Sequence, residues 1–196
     1  LHPNEQGGHD PDTDELVGLA KHPSIIAIGE TGLDYFRSEG DLDWQRDRFR
    51  RHIAAAKQSG KPLIIHSRDA RDDTLKILEE EQADEVGGVM HCFTGDWEMA
   101  QRAMEMNFYI SFSGIVTFKT ARELQDIAVR MPSNRYLVET DSPYLAPVPC
   151  RGKPNQPAFV RHVAEYIAKL RGESYEQVAA TTTENFRTLF KVPVPG

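Results

Sequence analysis

The sequence has few of the features that mark several large protein classes. Among its 196 residues are two cysteines, Cys92 and Cys150, which form no Cys-x-x-Cys pair. This argues against a zinc ribbon or a disulfide scaffold, and two isolated thiols favour a reducing, cytoplasmic location. No apolar run approaches the ~18 residues that a membrane span needs, and no signal peptide is recognised, so we expect no membrane partner.

Positive charge is also scarce. Lysine and arginine together number 23 against 30 acidic residues, which gives a formal net charge of −7. A protein that coats nucleic acid is normally basic. If the substrate is a polyanion, bound metal ions and a local basic patch must therefore hold it.

Three catalytic or nucleotide-binding patterns are missing as well. The sequence contains neither Gly-x-Gly-x-x-Gly nor a P-loop, which argues against a dinucleotide or P-loop nucleotide site. It contains no Gly-x-Ser-x-Gly elbow, which argues against a serine nucleophile.

Alternating strand and helix patterns are present. Strands rich in β-branched and aromatic residues are predicted at 24–30, 62–66, 86–91, 107–113 and 135–141. Amphipathic helices are predicted at 41–59, 70–82, 96–106, 119–130, 158–171, 175–181 and 184–190. This alternation predicts a parallel sheet. An eight-stranded barrel typically takes ~250 residues, and an open doubly wound sheet could use five strands, so the pattern alone leaves both open.

Four of the five predicted strands end on a residue that can bind a metal, namely Glu30, His66, His91 and Asp141. Alone, each has an ordinary interpretation, because a histidine there is usually a loop residue and a carboxylate usually caps a helix. Four of them together predict one site, since barrel enzymes place their chemistry at the carboxyl ends of strands. Carboxylate and imidazole ligands suit divalent ions such as Mg²⁺, Mn²⁺ or Zn²⁺.

The residues around these positions resemble a known family. The segments GETGLDY, HSR, HCFTG, SGI, ETDSPYL, RGKPN and TENF, at 29–35, 66–68, 91–95, 113–115, 139–145, 151–155 and 183–186, stand in the order seen in the TatD family of metal-dependent deoxyribonucleases. The resemblance covers essentially the whole chain. It implies a single hydrolase domain over residues 1–196, a TIM-like (β/α)8 barrel, and one or two metal ions bound by Glu30, His66, His91 and Asp141.

The start of the family pattern is expected to be absent. The family carries a His-x-His motif on its first strand, which this sequence lacks, and His2-Pro3 resembles the end of its third strand. The resemblance therefore implies that the chain supplies strands four to eight.

The implied activity is cleavage of DNA phosphodiester bonds by metal-activated water, as a 3′-5′ exodeoxyribonuclease acting on single strands or 3′ ends. Glu30 and Asp141 would be catalytic, with Glu30 shared between ions and Asp141 accepting the proton of the attacking water. Two alternatives stay open: a metal-dependent deacylase acting on aminoacyl-tRNA, which would need the same ligands, and a non-catalytic fragment of such an enzyme.

Five residues are candidates for binding the substrate. Arg68 follows His66 and could hold a phosphate, or it could form a salt bridge with Asp69 or Asp72. Tyr144 could stack on a base or simply pack. The remaining candidates alternate with Gly152 and Pro154 in the loop after the last strand, where barrels often bind phosphate, and are Arg151, Lys153 and Asn155.

Overall fold

A computed structural model describes residues 1–192, which fall into two compact units. The first unit comprises Leu1–His91 and Gln101–Phe108, and the second comprises Cys92–Ala100 and the chain from Tyr109 onward. Within residues 1–192, no helix is both long enough and apolar enough to cross a membrane. That the whole chain acts as a single hydrolase domain stays a prediction.

The first unit alternates helices with parallel strands. Its elements are α1 (Thr13–Ala20), β1 (Ile28–Asp34), α2 (Asp43–Ser59), β2 (Leu63–Arg68), α3 (Arg71–Glu80) and β3 (Gly88–Met90). Strand β2 pairs in parallel with β1 and with β3. The register places Gly32 beside His66 and Asp34 beside Arg68, so polar residues of neighbouring strands lie side by side.

Helix α2 shows how the predicted apolar pattern produces this packing. Phe49, Ile53 and Ala56 recur at helical spacing and are completely buried. Burying a large apolar side chain stabilises the fold by about 1.5–3 kcal/mol. Gly60 follows the last turn with φ 63° and donates its N–H to the carbonyl of Ala56, as the sequence predicts for a glycine just past a helix end.

The second unit repeats the same alternation. Helix α4 (Trp97–Glu105) and strand β4 (Phe108–Phe112) have residues in both units, and α5 (Arg122–Arg130), β5 (Tyr136–Val138), α6 (Val160–Arg171) and α7 (Tyr175–Phe190) follow. Strands β4 and β5 pair in parallel, with Ile110 beside Tyr136. The five predicted strands are thus present within residues 1–192.

Several predicted boundaries are wrong. Strand β1 begins and ends four residues later than predicted, at Ile28 and Asp34. It extends beyond Glu30, its first polar side chain, because β2 continues to pair with it as far as Asp34. Helix α1 was not predicted, although Asp12 and Glu15 form a capping box at its start. Helix α7 is continuous where two helices were predicted, because the buried Thr182 hydroxyl donates to the carbonyl of Val178 and the threonine run stays helical.

Candidate metal centre

A carboxylate in the first unit is surrounded by three imidazoles. Glu30 Oε1 lies 3.0 Å from His66 Nδ1, 3.6 Å from His91 Nε2 and 3.6 Å from His2 Nε2. We call these four residues the Glu30 cluster. Three of the four predicted ligands are therefore brought together, and His2 joins them although it was not predicted as a ligand.

Backbone geometry places these side chains. Gly32 has φ +131°, and a Cβ atom there would lie 2.0 Å from the carbonyl oxygen of His66, so only glycine lets β1 run this close to β2. His91 directly follows β3 and donates its N–H to the carbonyl of Ile65 at 2.9 Å. Glu30 and His66 lie within strands rather than at their ends, which differs from the sequence prediction.

The imidazole of His66 is held at both ring nitrogens. Its Nε2 lies 2.9 Å from Asp34 Oδ2, and Asp34 is 1% exposed. Asp34 also accepts hydrogen bonds from the side chain of Asn4 at 3.0 Å and the backbone of Arg37 at 2.9 Å. Burial favours the neutral acid, but these hydrogen bonds hold the pKa of the Asp34 carboxyl below its usual range. Asp34 therefore fixes the orientation of His66.

His2 approaches the same carboxylate from outside the strands. Its Nδ1 accepts a hydrogen bond from the backbone N–H of Asn4 at 3.1 Å, so Nε2 is the atom that faces Glu30. The ring meets that of His66 edge to face, with centroids 4.6 Å apart. Burial lowers the pKa of His2, which favours the neutral imidazole. The signal that could have revealed it was the His2-Pro3 match to the end of a family strand.

The Glu30 cluster fits a divalent cation. One donor atom each from His2, Glu30 and His66 lie within 4.8 Å of one another. Burial would raise the pKa of the Glu30 carboxyl, but the hydrogen bond from His66 and the nearby imidazoles hold it below its usual range. The carboxylate is therefore ionised, as a metal ligand must be, and a mixed carboxylate and imidazole set suits Zn²⁺ or Mn²⁺.

The fourth predicted ligand, Asp141, belongs to the second unit. Strand β5 ends at Val138, three residues before Asp141, rather than at Asp141 as predicted. The backbone leaves the strand because Asp141 takes φ 57° and its carbonyl accepts the N–H of Tyr144 at 2.9 Å. The side chain is half-buried, and its role as a ligand and proton acceptor stays a prediction.

A second carboxylate in that unit organises its surroundings. Glu139 Oε1 accepts the backbone N–H of Cys92 at 2.8 Å, and Oε2 accepts the Ser111 hydroxyl at 2.6 Å. Glu139 thereby ties the residue after His91 to β4. Sequence reasoning did not single it out, although it opens the ETDSPYL segment that carries part of the family resemblance.

The loop after β5 carries four of the predicted substrate contacts. Tyr144 is 70% exposed, Arg151 and Lys153 are exposed, and the Arg151 guanidinium stacks 4.1 Å from the centre of the Phe118 ring. Asn155 differs from the expectation. It is 4% exposed, and its amide donates to the carbonyls of Thr140 and Tyr144, so it shapes the loop and presents no amide to a phosphate.

Arg68, the remaining predicted contact, lies in the first unit. Its guanidinium carbon sits 3.8 Å from the centre of the Phe36 ring. Within residues 1–192 it makes no salt bridge, and Asp72 lies instead near Arg71, at 3.7 Å. The salt-bridge alternative for Arg68 is therefore wrong.

The sequence matches the family described as TatD related DNase over residues 1–191. The chain belongs to this family. An Escherichia coli K12 relative named as the uncharacterized metal-dependent hydrolase YcfH is 52% identical over 193 residues, which cover 98% of this chain and 72% of the relative. A Klebsiella pneumoniae relative named as the 3′-5′ ssDNA/RNA exonuclease TatD is 33% identical, with 100% of this chain and 77% of the relative covered.

A solved structure shows the same architecture. The crystal structure of YJJV, a TatD homologue from Escherichia coli K12, matches with a TM-score of 0.89 and 29% identity, covering 98% of this chain and 75% of that one. Together with the five parallel strands, this supports the predicted TIM-like β/α fold. The names of the TatD relatives support the coarser functional prediction, a metal-dependent hydrolase.

One expectation from the resemblance is not borne out. The N-terminal part of the TatD pattern was expected to be missing, but the family match begins at residue 1. The structural likeness does not support a lack of the first strands either.

Proposed function

We propose that the chain is a metal-dependent phosphodiesterase that removes nucleotides from the 3′ end of single-stranded DNA. The observation that carries the proposal is the Glu30 cluster, in which three imidazole nitrogens lie within 3.6 Å of one carboxylate oxygen. The TatD relative named as a 3′-5′ ssDNA/RNA exonuclease supports the choice of substrate and direction.

Glu30, His66 and His2, whose donor atoms lie within 4.8 Å of one another, would hold the metal. His91 and Asp141 are the further ligands that the sequence predicts. When bound, a divalent cation polarises the phosphoryl oxygen and lowers the pKa of water from 15.7 toward ~7. Asp34 keeps the His66 ring in place through its bond to Nε2. Asp141 would take the proton as the water oxygen attacks phosphorus and the bond from phosphorus to the 3′ oxygen of the preceding nucleotide breaks. The departing 3′ oxygen would take a proton from solvent and become a hydroxyl.

Individual basic side chains can bind the negatively charged phosphates of the substrate. Arg68 keeps its N–H donors free of salt bridges within residues 1–192 and lies two residues after His66 on β2, so it can bind a phosphate oxygen. In the second unit, Arg151 and Lys153 are exposed on the loop after β5. A reducing, cytoplasmic location stays a prediction, consistent with the two free cysteines.

A direct comparison of substrates tests this function. With Mn²⁺ or Mg²⁺ present, we expect single-stranded DNA labelled at its 5′ end to shorten stepwise from the 3′ end, and chelator to stop the reaction. Aminoacyl-tRNA should stay charged under the same conditions. Release of the amino acid without DNA cleavage would establish the deacylase instead, and a metal-loaded protein inactive on both substrates would favour a non-catalytic role.

A further inference from the structure

We propose that Phe36 and Arg68 form a nucleotide-binding platform beside the Glu30 cluster, on which Phe36 stacks a base and Arg68 binds the adjacent phosphate. The proposal rests on the proposed function and names two side chains that would hold its substrate. Two observations support it. The Phe36 ring is 59% exposed although it is apolar, and the guanidinium carbon of Arg68 lies 3.8 Å from the centre of this ring.

The exposed ring is anchored on both sides in sequence. Before it, Tyr35 donates its N–H to the carbonyl of Arg68 at 2.9 Å and its hydroxyl to Asp73 at 2.6 Å. After it, Arg37 donates its N–H to Asp34 at 2.9 Å. Because hydrogen bonds hold Tyr35 and Arg37, the exposed Phe36 ring lies on an ordered segment. Less conformational entropy is therefore lost when a ligand stacks on the ring.

The same bonds tie Phe36 to the candidate metal centre. Asp34, which holds the Arg37 backbone, also contacts His66 Nε2 at 2.9 Å. Asp34 and Arg68 are register partners on β1 and β2. His66 and Arg68 are two residues apart on one strand, so their side chains leave the same face about 6.6 Å apart along it.

Arg68 is available to an anion in a protein that is short of free positive charge. The net charge is −7, and other arginines of the first unit are occupied by carboxylates: Arg46 by Asp43, Arg48 by Asp10 and Arg50 by Glu80. Arg68 makes no such pair within residues 1–192. A guanidinium can rest its flat face on an aromatic ring and still offer N–H donors at its edge to phosphate.

A single-stranded nucleotide matches both surfaces. Base stacking on an aromatic ring is strong and tolerates any sequence, because every base has a π-face. A base inside a duplex is already stacked and cannot reach the ring. The platform would therefore favour single strands over duplexes without reading the base sequence.

Binding of two oligonucleotides separates the base contact from the phosphate contact. The probes are a fluorescein-labelled ten-nucleotide oligo-dT and an abasic chain of the same length, titrated with chelator present so that nothing is cleaved. We expect the wild type to bind oligo-dT more tightly, and Phe36→Leu to reduce that affinity about fivefold or more while leaving abasic binding unchanged. Phe36→Trp should keep the preference, and oligo-dT should quench the introduced indole.

Arg68→Gln tests the phosphate contact with the same probes. It should weaken binding of both chains and reduce the salt slope of single-strand binding by about 0.7. Phe186→Leu, at a ring 36% exposed in the second unit and packed on Phe190, is the matched control and should change neither affinity. Thermal melting of each variant checks that it is folded.

If Phe36→Leu loses affinity equally for oligo-dT and for the abasic chain, or loses affinity for neither, the platform proposal is overturned. Hydrolysis of bis(p-nitrophenyl) phosphate, a small phosphodiester without a base, separates this from failure of the proposed function. If the wild type hydrolyses it with metal while Phe36→Leu binds oligo-dT normally, only the platform is wrong. If the wild type cleaves neither that ester nor DNA, the proposed function fails.

Discussion

At the scale of single residues, the candidate metal centre depends on side chains that would not touch the metal. Asp34 binds His66 at the nitrogen facing away from Glu30, and Asn4 binds Asp34 in turn. Such supporting bonds set which nitrogen carries the proton and how the ring is aimed. The sequence does not reveal this role of Asp34, because its contact with His66 exists only once β1 and β2 are paired.

We predict that Asp34→Asn weakens metal binding about 10–100-fold without unfolding the protein, because an amide keeps the size of the side chain but is a poorer acceptor for the His66 N–H. Calorimetric titration with Mn²⁺ measures the change. Asp72→Asn, at an exposed carboxylate, is the control and should bind as the wild type does. Unaltered affinity in Asp34→Asn would show that His66 does not need this bond.

At the scale of elements, the close approach of β1 to β2 depends on one glycine. Gly32 takes φ +131°, and a Cβ atom would meet the carbonyl oxygen of His66 at 2.0 Å. The positions of this Cβ atom and of the carbonyl oxygen are both set by the backbone, so neither atom could move aside as the end of a flexible side chain could. The pairing that places Glu30 beside His66 therefore requires glycine at this position.

We predict that Gly32→Ala lowers the free energy of unfolding by about 3 kcal/mol or more, from a strained backbone and an overpacked contact together. Urea denaturation measures it. The matched control is Gly18→Ala, since Gly18 lies in α1 with nothing within 4 Å of an added Cβ. That variant should gain up to about 1 kcal/mol. Equal stability of the two variants would contradict this account of β1.

The elements also show what could be predicted from the sequence. Helix α2 can be predicted from its local apolar periodicity. Its end can be predicted from Gly60, because glycine readily adopts the positive φ found there. The end of β1 does not, because Thr31 to Asp34 are held by pairing with β2, and no local pattern reports that partner. Helix α1 is signalled by the capping box of Asp12 and Glu15, which apolar spacing alone does not report.

At the scale of the whole molecule, the predictable part of the site consists of polar or charged residues that the sequence places next to apolar strands. Glu30, His66 and His91 stand out because each is a polar residue at the end of a predicted apolar strand, and the structure brings them together. His2 and Phe36 have no such context in the sequence, and their positions arise only from tertiary contacts. In an acidic chain with a net charge of −7, a bound cation and Arg68, which makes no salt bridge within residues 1–192, would let the molecule accept a polyanion.

The central claim, that the Glu30 cluster binds a divalent cation, is tested most directly by titrating the folded protein with Mn²⁺ in a calorimeter. We predict at least one ion per wild-type chain, and binding at least tenfold weaker in Glu30→Gln. The control Glu39→Gln, at an exposed carboxylate in the same unit, should bind like the wild type. Wild-type stoichiometry and affinity in a folded Glu30→Gln variant would contradict the account.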